Sequence, residues 1–141
     1  MKKISPGIPV RKVPRSVQFR RLKKICHALW SKAVRARDSF CILCGVSGGS
    51  KQLFAHHWII HSRGSLGVRF NPGNGVALCY ACHIFKVHQQ GDARYLDQIR
   101  AYMFTNGFMD EATYEHIKFA GNAIAKVELE DLEQVRVALG G

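Results

Sequence analysis

Beyond residue 15, apolar side chains recur every third or fourth position. Phe19, Leu22, Ile25, Cys26, Leu29, Trp30, Ala33 and Val34 form one stripe, the signature of an amphipathic helix over residues 16–38. Ser16 is suited to cap it. Lys51 to His61 is rich in aromatic and β-branched residues and predicts one strand or two short ones. Residues 62–75 carry Gly64, Gly67, Pro72, Gly73 and Gly75 and predict a long loop. Helical character is expected to resume near Val76 and run through His88. Asp92 is then suited to cap a helix that turns Tyr95, Leu96, Ile99, Tyr102 and Met103 inward and stops at Asn106-Gly107. Asp110 opens another, with Tyr114, Ile117 and Ile124. The last, Glu128 to Leu139, aligns Leu129, Leu132, Val135 and Leu139, and its acids cluster in the first turns, where the helix dipole favours them. Core packing is the expected use of these three apolar faces. Helices with short strands make the fold class α+β.

Residues 1–15 break this patterning. Pro6, Pro9 and Pro14 stand among Lys and Arg, which predicts an extended arm. The chain of 141 residues thus divides into a basic arm (1–15), a basic amphipathic helix (16–38), a core segment (39–91) and a helical extension (92–141). Residues 38–91 lack aliphatic periodicity and need something besides a hydrophobic core, such as a structural metal.

Charge sharpens this division. Of the formal net charge of +11, the whole excess lies in residues 1–37, which hold twelve Lys or Arg and no acid. Arg20, Arg21, Lys23, Lys24, Lys32 and Arg35 fall largely off the apolar stripe, so the helix has one face for the core and one for a polyanion. Nucleic acid is the expected partner, with Arg20, Arg21, Lys23 and Lys24, and Arg63 and Arg69 from the loop, contacting phosphates. The plainer reading is a solvated helix face. No apolar stretch resembles a signal peptide or a membrane span, so a cytoplasmic protein is expected, with no membrane and no small-molecule substrate.

Four of the five cysteines pair as Cys41-Ile-Leu-Cys44 and Cys79-Tyr-Ala-Cys82. Two-residue spacers let each pair chelate within one turn, and four thiolates make a tetrahedral structural zinc site. A redox pair is the competing reading. Gly45 permits the tight turn after Cys44. Cys26, on the apolar stripe, reads as a buried free thiol, and His27 as a surface histidine.

The order Arg37-Asp38-Ser-Phe-Cys41-x-x-Cys44-Gly45, Ala55-His56-His57, Asn74-x-x-x-Leu78-Cys79-x-x-Cys82-His83 resembles the HNH endonuclease family. The resemblance implies a ββα-metal fold, treble-clef-like, in which a two-stranded hairpin and a helix clasp one divalent ion and the four cysteines brace it with zinc. By the same resemblance His57 is the general base, and His56 and His83 hold the catalytic ion. Asn74 orients the loop that bears the base, and the products carry 3′-hydroxyl and 5′-phosphate ends. A weaker resemblance, on Gln52-Leu53-x-Ala55-x-His57, Ser62-Arg63-Gly64-Ser65 and Arg69-Phe70-Asn71, is to phage recombination nucleases of the Rap (NinG) type. It implies branched DNA as substrate and a phage-encoded protein acting in the host cytoplasm.

The chemistry asks for these residue types independently. Hydrolysis of a phosphodiester needs water deprotonated near neutral pH, which suits histidine, and a cation to stabilise the developing charge. Successive side chains of a strand point to opposite faces, so His56 and His57 divide the work of ligand and base. With His56 where the family usually has Asp, the site has softer ligands, and Mn²⁺, Ni²⁺ or Zn²⁺ suit it better than Mg²⁺. His61 and His88 are further candidate ligands. One such centre per chain cuts both strands only through a homodimer or two events, and the acidic C-terminal helix is the candidate dimer contact. The rival function is a zinc module that binds DNA or RNA without cutting it.

Overall fold

The computed structural model describes Gly7 and residues 11–60, 66–90, 93–122 and 127–141. Most of the basic arm, together with His61, Arg63, Asp92 and Ile124, lies outside the described residues, as does the side chain of His88. The first element is the helix α1 (Arg15–Asp38). Pro14, rather than Ser16, precedes its first turn, and the Pro14 carbonyl accepts from the amides of Val17 and Gln18. The fixed φ of Pro14 suits the approach to a first turn, and no side chain caps the helix. Cys26, Trp30, Val34 and Asp38 are the buried residues of α1. They follow each other at every fourth position, a narrower ridge than the sequence stripe, and Ile25 is left exposed. The helix ends at Ser39, whose φ of 58° is left-handed and whose amide closes on the carbonyl of Arg35 at 2.9 Å.

A knuckle follows. Gly45 has φ +79°, which a side chain would resist, and donates to the Cys41 carbonyl at 2.7 Å, while the Cys41 amide donates to Val46. The strand β1 (Leu53–His57) then pairs antiparallel with β2 (Gly75–Cys79), His57 opposite Gly75 and Leu53 opposite Cys79. Between them lie the one-turn helix α2 (Leu66–Arg69) and a 3₁₀ turn at Pro72–Asn74.

Here the expectation of helix from Val76 is corrected: residues 75–79 form a strand, and every one of them is buried. A short apolar run buried on all sides has no polar positions to reveal its period, so its sequence does not separate strand from helix. The helix after it, Cys82–Gln90, is wound as a π-helix. The helices α3 (Ala93–Thr105), α4 (Glu111–Asn122) and α5 (Leu129–Ala138) complete the chain. α3 buries Ile99 and Met103 but leaves Leu96 exposed. Asp110 caps α4 through the Thr113 amide at 2.7 Å. Glu128 and Asp131 form a reciprocal capping box on α5.

Two cores result. One surrounds β2 and the cysteine pairs with Trp58, Ile60, Ile99, Met103 and Ile117. The other seals α1 to α5 through Cys26, Trp30, Val34, Phe70 and Leu132. The Cys26 thiol is buried and donates to the Leu132 carbonyl at 3.3 Å. Among the described residues no helix is long and apolar enough to cross a membrane.

The last residue of α1 joins these parts. Asp38, 1 % exposed, accepts from Arg37 Nε (2.8 Å) and Nη2 (3.0 Å), from the Ala77 amide of β2 (2.8 Å) and from the Tyr102 hydroxyl of α3 (2.9 Å). Burial and the adjacent carboxylate push the Tyr102 phenol up to about 12, so it remains a donor. Arg37 continues to the carbonyls of Pro72 and Gly75 at 2.8 and 2.7 Å. Replacing Asp38 with Ala leaves a hydroxyl and an amide without their acceptor and the Arg37 guanidinium without its counter-charge. We expect a loss of about 3–5 kcal/mol in urea unfolding; a loss under 1 kcal/mol would show the network to be dispensable.

Candidate metal centre and histidine cleft

The knuckle presents Cys41 and Cys44, and the end of β2 with the first turn of the π-helix presents Cys79 and Cys82. The Ile42 amide, bonded to the Ala77 carbonyl at 3.1 Å, holds the two pieces together. The four Sγ atoms lie within 4.8 Å of one another, and those of Cys44 and Cys79 are 3.7 Å apart. A tetrahedron with Zn–S bonds of about 2.3 Å has edges of about 3.8 Å, so the donor set fits zinc in number, type and spacing. The thiols are unequal. Burial raises Cys79, but hydrogen bonds from the Cys82 amide and the neighbouring thiols outweigh it and bring it down to about 7. Burial and the other thiols drive Cys82 well up. Thiols this crowded give up all their protons only to a cation.

A second group of side chains surrounds the free edge of β1. Alternation along the strand sends His56 to one face and His57 to the other. On the first face His56, 4 % exposed, meets His83 of the π-helix with ring centroids 5.3 Å apart and planes at 67°. That is an edge-on ring contact at an ordinary aromatic separation. Among the described residues they make a pair, and the only set of three or more metal-type ligands is the cysteine one.

On the other face His57 lies flat on Trp30 of α1, centroids 3.9 Å apart and planes within 8°. His27, also from α1, stands 6.1 Å from His57 and edge-on to Phe70. Both faces open into one cleft of about 640 Å³, whose lining includes His27, His56, His57, His83, Arg35 and Arg69 and, among the described residues, no acidic side chain. Arg69 is half-buried, with its Nε enclosed and without a hydrogen-bond partner; burial lowers its pKa. A desolvated guanidinium of this kind favours an anion close by. Burial first, then the charge of Arg69, hold the His27 imidazole below its usual value, hence neutral at pH 7.

Asn74 does not line the cleft. It is fully buried; its Oδ1 accepts from the Ile59 and Ile60 amides at 3.0 Å, and its Nδ2 donates to the carbonyls of Ile60 (3.0 Å) and Arg69 (3.3 Å). It therefore ties the segment leaving His57 to the one carrying Arg69.

The basic residues of α1 divide. Lys23, His27, Ser31 and Arg35 follow at every fourth residue and form one ridge, whose last three members line the cleft. Arg20 and Lys24 are exposed on the adjacent ridge. Arg21 lies elsewhere, in a groove against α5 with Glu130 and Glu133, beside the Arg15–Glu130 ion pair at 2.9 Å. Sequence reasoning missed His27 and Arg35 as members of the site. The four-residue spacing was visible, but not the strand that this ridge would face.

No protein-family model matches this chain, and no curated protein or solved structure is significantly similar to it.

Proposed function

We propose that this protein is a metal-dependent endonuclease of the HNH type, with a zinc-braced ββα-metal core, that hydrolyses DNA phosphodiester bonds. One observation carries the reading. A single cleft gathers His56, His57 and His83 with Arg35 and Arg69, and among the described residues no acidic side chain lines it. Such a lining admits a polyanion and supplies the groups its hydrolysis needs.

In this reading zinc on Cys41, Cys44, Cys79 and Cys82 is structural. His56 and His83 would hold the catalytic divalent ion. Their nitrogen donors favour Mn²⁺, Ni²⁺ or Zn²⁺ over Mg²⁺. When bound, such an ion stabilises the charge that grows on the phosphate and the departing oxygen. His57 takes the proton of the attacking water. Asn74 keeps the backbone beyond His57 in place. Arg69 and Arg35 seat the strand, and Arg20, Lys23 and Lys24 extend the basic track along α1.

The test is incubation of the zinc-loaded protein with linear, nicked and four-way-junction DNA, adding Mg²⁺, Mn²⁺, Ni²⁺ or Zn²⁺ in turn. Cleavage leaving 3′-hydroxyl and 5′-phosphate ends, stronger with Mn²⁺ or Ni²⁺ than with Mg²⁺, is expected. Tight binding of all three DNAs with no cutting under any metal would leave a zinc-braced binding module as the better account.

A further inference from the structure

Trp30 lies far outside the cysteine–histidine motif, yet its indole is fixed on several sides. It is fully buried, and its Nε1 donates to the Asn71 carbonyl at 3.0 Å. Its ring extends over the β1–β2 pair at the point where His57 stands opposite Gly75. A Cβ on Gly75 would come within 2.6 Å of the indole Cζ2 and of the Val34 side chain. Glycine at that position is what lets the indole lie flat against the sheet. The His57 imidazole rests on this surface in a parallel stack.

His57 ends an edge strand, where a side chain ordinarily samples several rotamers. A base is effective only while its nitrogen is held within hydrogen-bond reach of the water it deprotonates. A rigid plane anchored by its own hydrogen bond removes the other orientations before substrate arrives. We propose that Trp30 is a positioning residue for hydrolysis, setting the plane of the His57 imidazole from a helix outside the motif. This rests on His57 being the base.

A merely structural Trp30 would affect how much protein folds, not how fast the folded protein turns over. The experiment therefore compares Trp30→Leu, which removes the plane, with Trp30→Phe, which keeps a flat ring without the N–H. For Trp30→Leu with full zinc content, kcat should fall about 30–100-fold with KM for DNA unchanged, as for a misplaced catalytic group. Trp30→Phe should recover most of that rate. A readout independent of turnover is the proton NMR spectrum of the His57 ring, assigned by its loss in His57→Gln. The wild-type ring signals should be displaced upfield by the indole ring current and should return toward free-histidine positions in Trp30→Leu.

Unchanged kcat in folded Trp30→Leu, or wild-type His57 signals at free-histidine positions, would overturn the proposal. If Trp30→Leu does not fold, the wild-type spectrum and the kcat of Trp30→Phe decide: an undisplaced His57 ring, or a kcat reduced as far as that of a variant without His57, overturns it. A wild-type protein that cuts no DNA would instead sink the hydrolase reading, which the ring-current measurement does not share.

Discussion

On the proposed hydrolase reading, His57→Ala should lower the rate of DNA cleavage by about 10²–10⁴-fold, the usual contribution of a positioned general base, with zinc content and DNA affinity at wild-type levels. The expectation follows from the position of the side chain. His57 lines the cleft, lies outside the cysteine cluster, and stacks on Trp30. An aromatic stack of this kind is worth about 0.5–1.5 kcal/mol beyond the area it buries, so the rate is compared on variant protein that keeps its zinc and its cooperative unfolding, where loss of turnover is separable from loss of structure. His56→Ala should behave differently, with its defect partly restored by raising the concentration of the divalent ion. A His57→Ala protein that keeps its zinc and cuts at the wild-type rate would remove this residue from the chemistry.

Loss of a metal from the four-cysteine cluster should have the larger consequence for the fold. Cys79 is at once a member of the thiol cluster and the residue of β2 paired with Leu53. Releasing it frees one end of the sheet and the first turn of the π-helix that carries His83. Structural zinc in small domains is worth about 10–16 kcal/mol at neutral pH, and a whole domain is stable by only about 5–15 kcal/mol. Cys41→Ala, or removal of metal by a strong chelator, should therefore abolish the cooperative thermal transition of the segment from 39 to 91. The purified chain should contain one tightly held zinc, with four thiols shielded from alkylation until chelator is added. A chain whose melting is unchanged by the chelator, or whose cysteines react freely beforehand, would show that the cluster is not a metal brace.

Several elements could be read from the chain because their signals are local. The α1 stripe, the glycine-dependent knuckle at Gly45, the Asp110 cap and the C-terminal helix all follow from spacing and turn chemistry within a few residues. The four cysteines were likewise legible, since two-residue spacing is itself the chelating geometry. Val76-Ala77-Leu78 was misread as helix because burial on every side erases period. Ser16 falls inside the first turn, since the helix begins one residue earlier at Arg15, after Pro14, and has no side-chain cap. Leu96 and Ile25 were assigned inward by periodicity, but the neighbouring elements cover only part of each apolar stripe.

By itself, then, the sequence determined that the chain is a mixed α+β protein with a basic N-terminal helix, a four-thiol cluster suited to zinc, and histidines suited to acid–base and ligand chemistry. Only the tertiary structure decided which of those histidines meet. It brings His27 and Trp30 of α1 against His57, pairs His56 with His83 across the other face of β1, and turns Arg21 away toward α5. The reason is distance along the chain. Capping, turns and chelation act over a few residues, whereas the approach of α1 to β1 is set by the volume of Trp30 and the missing side chain at Gly75, two residues whose relation exists only once the chain has folded.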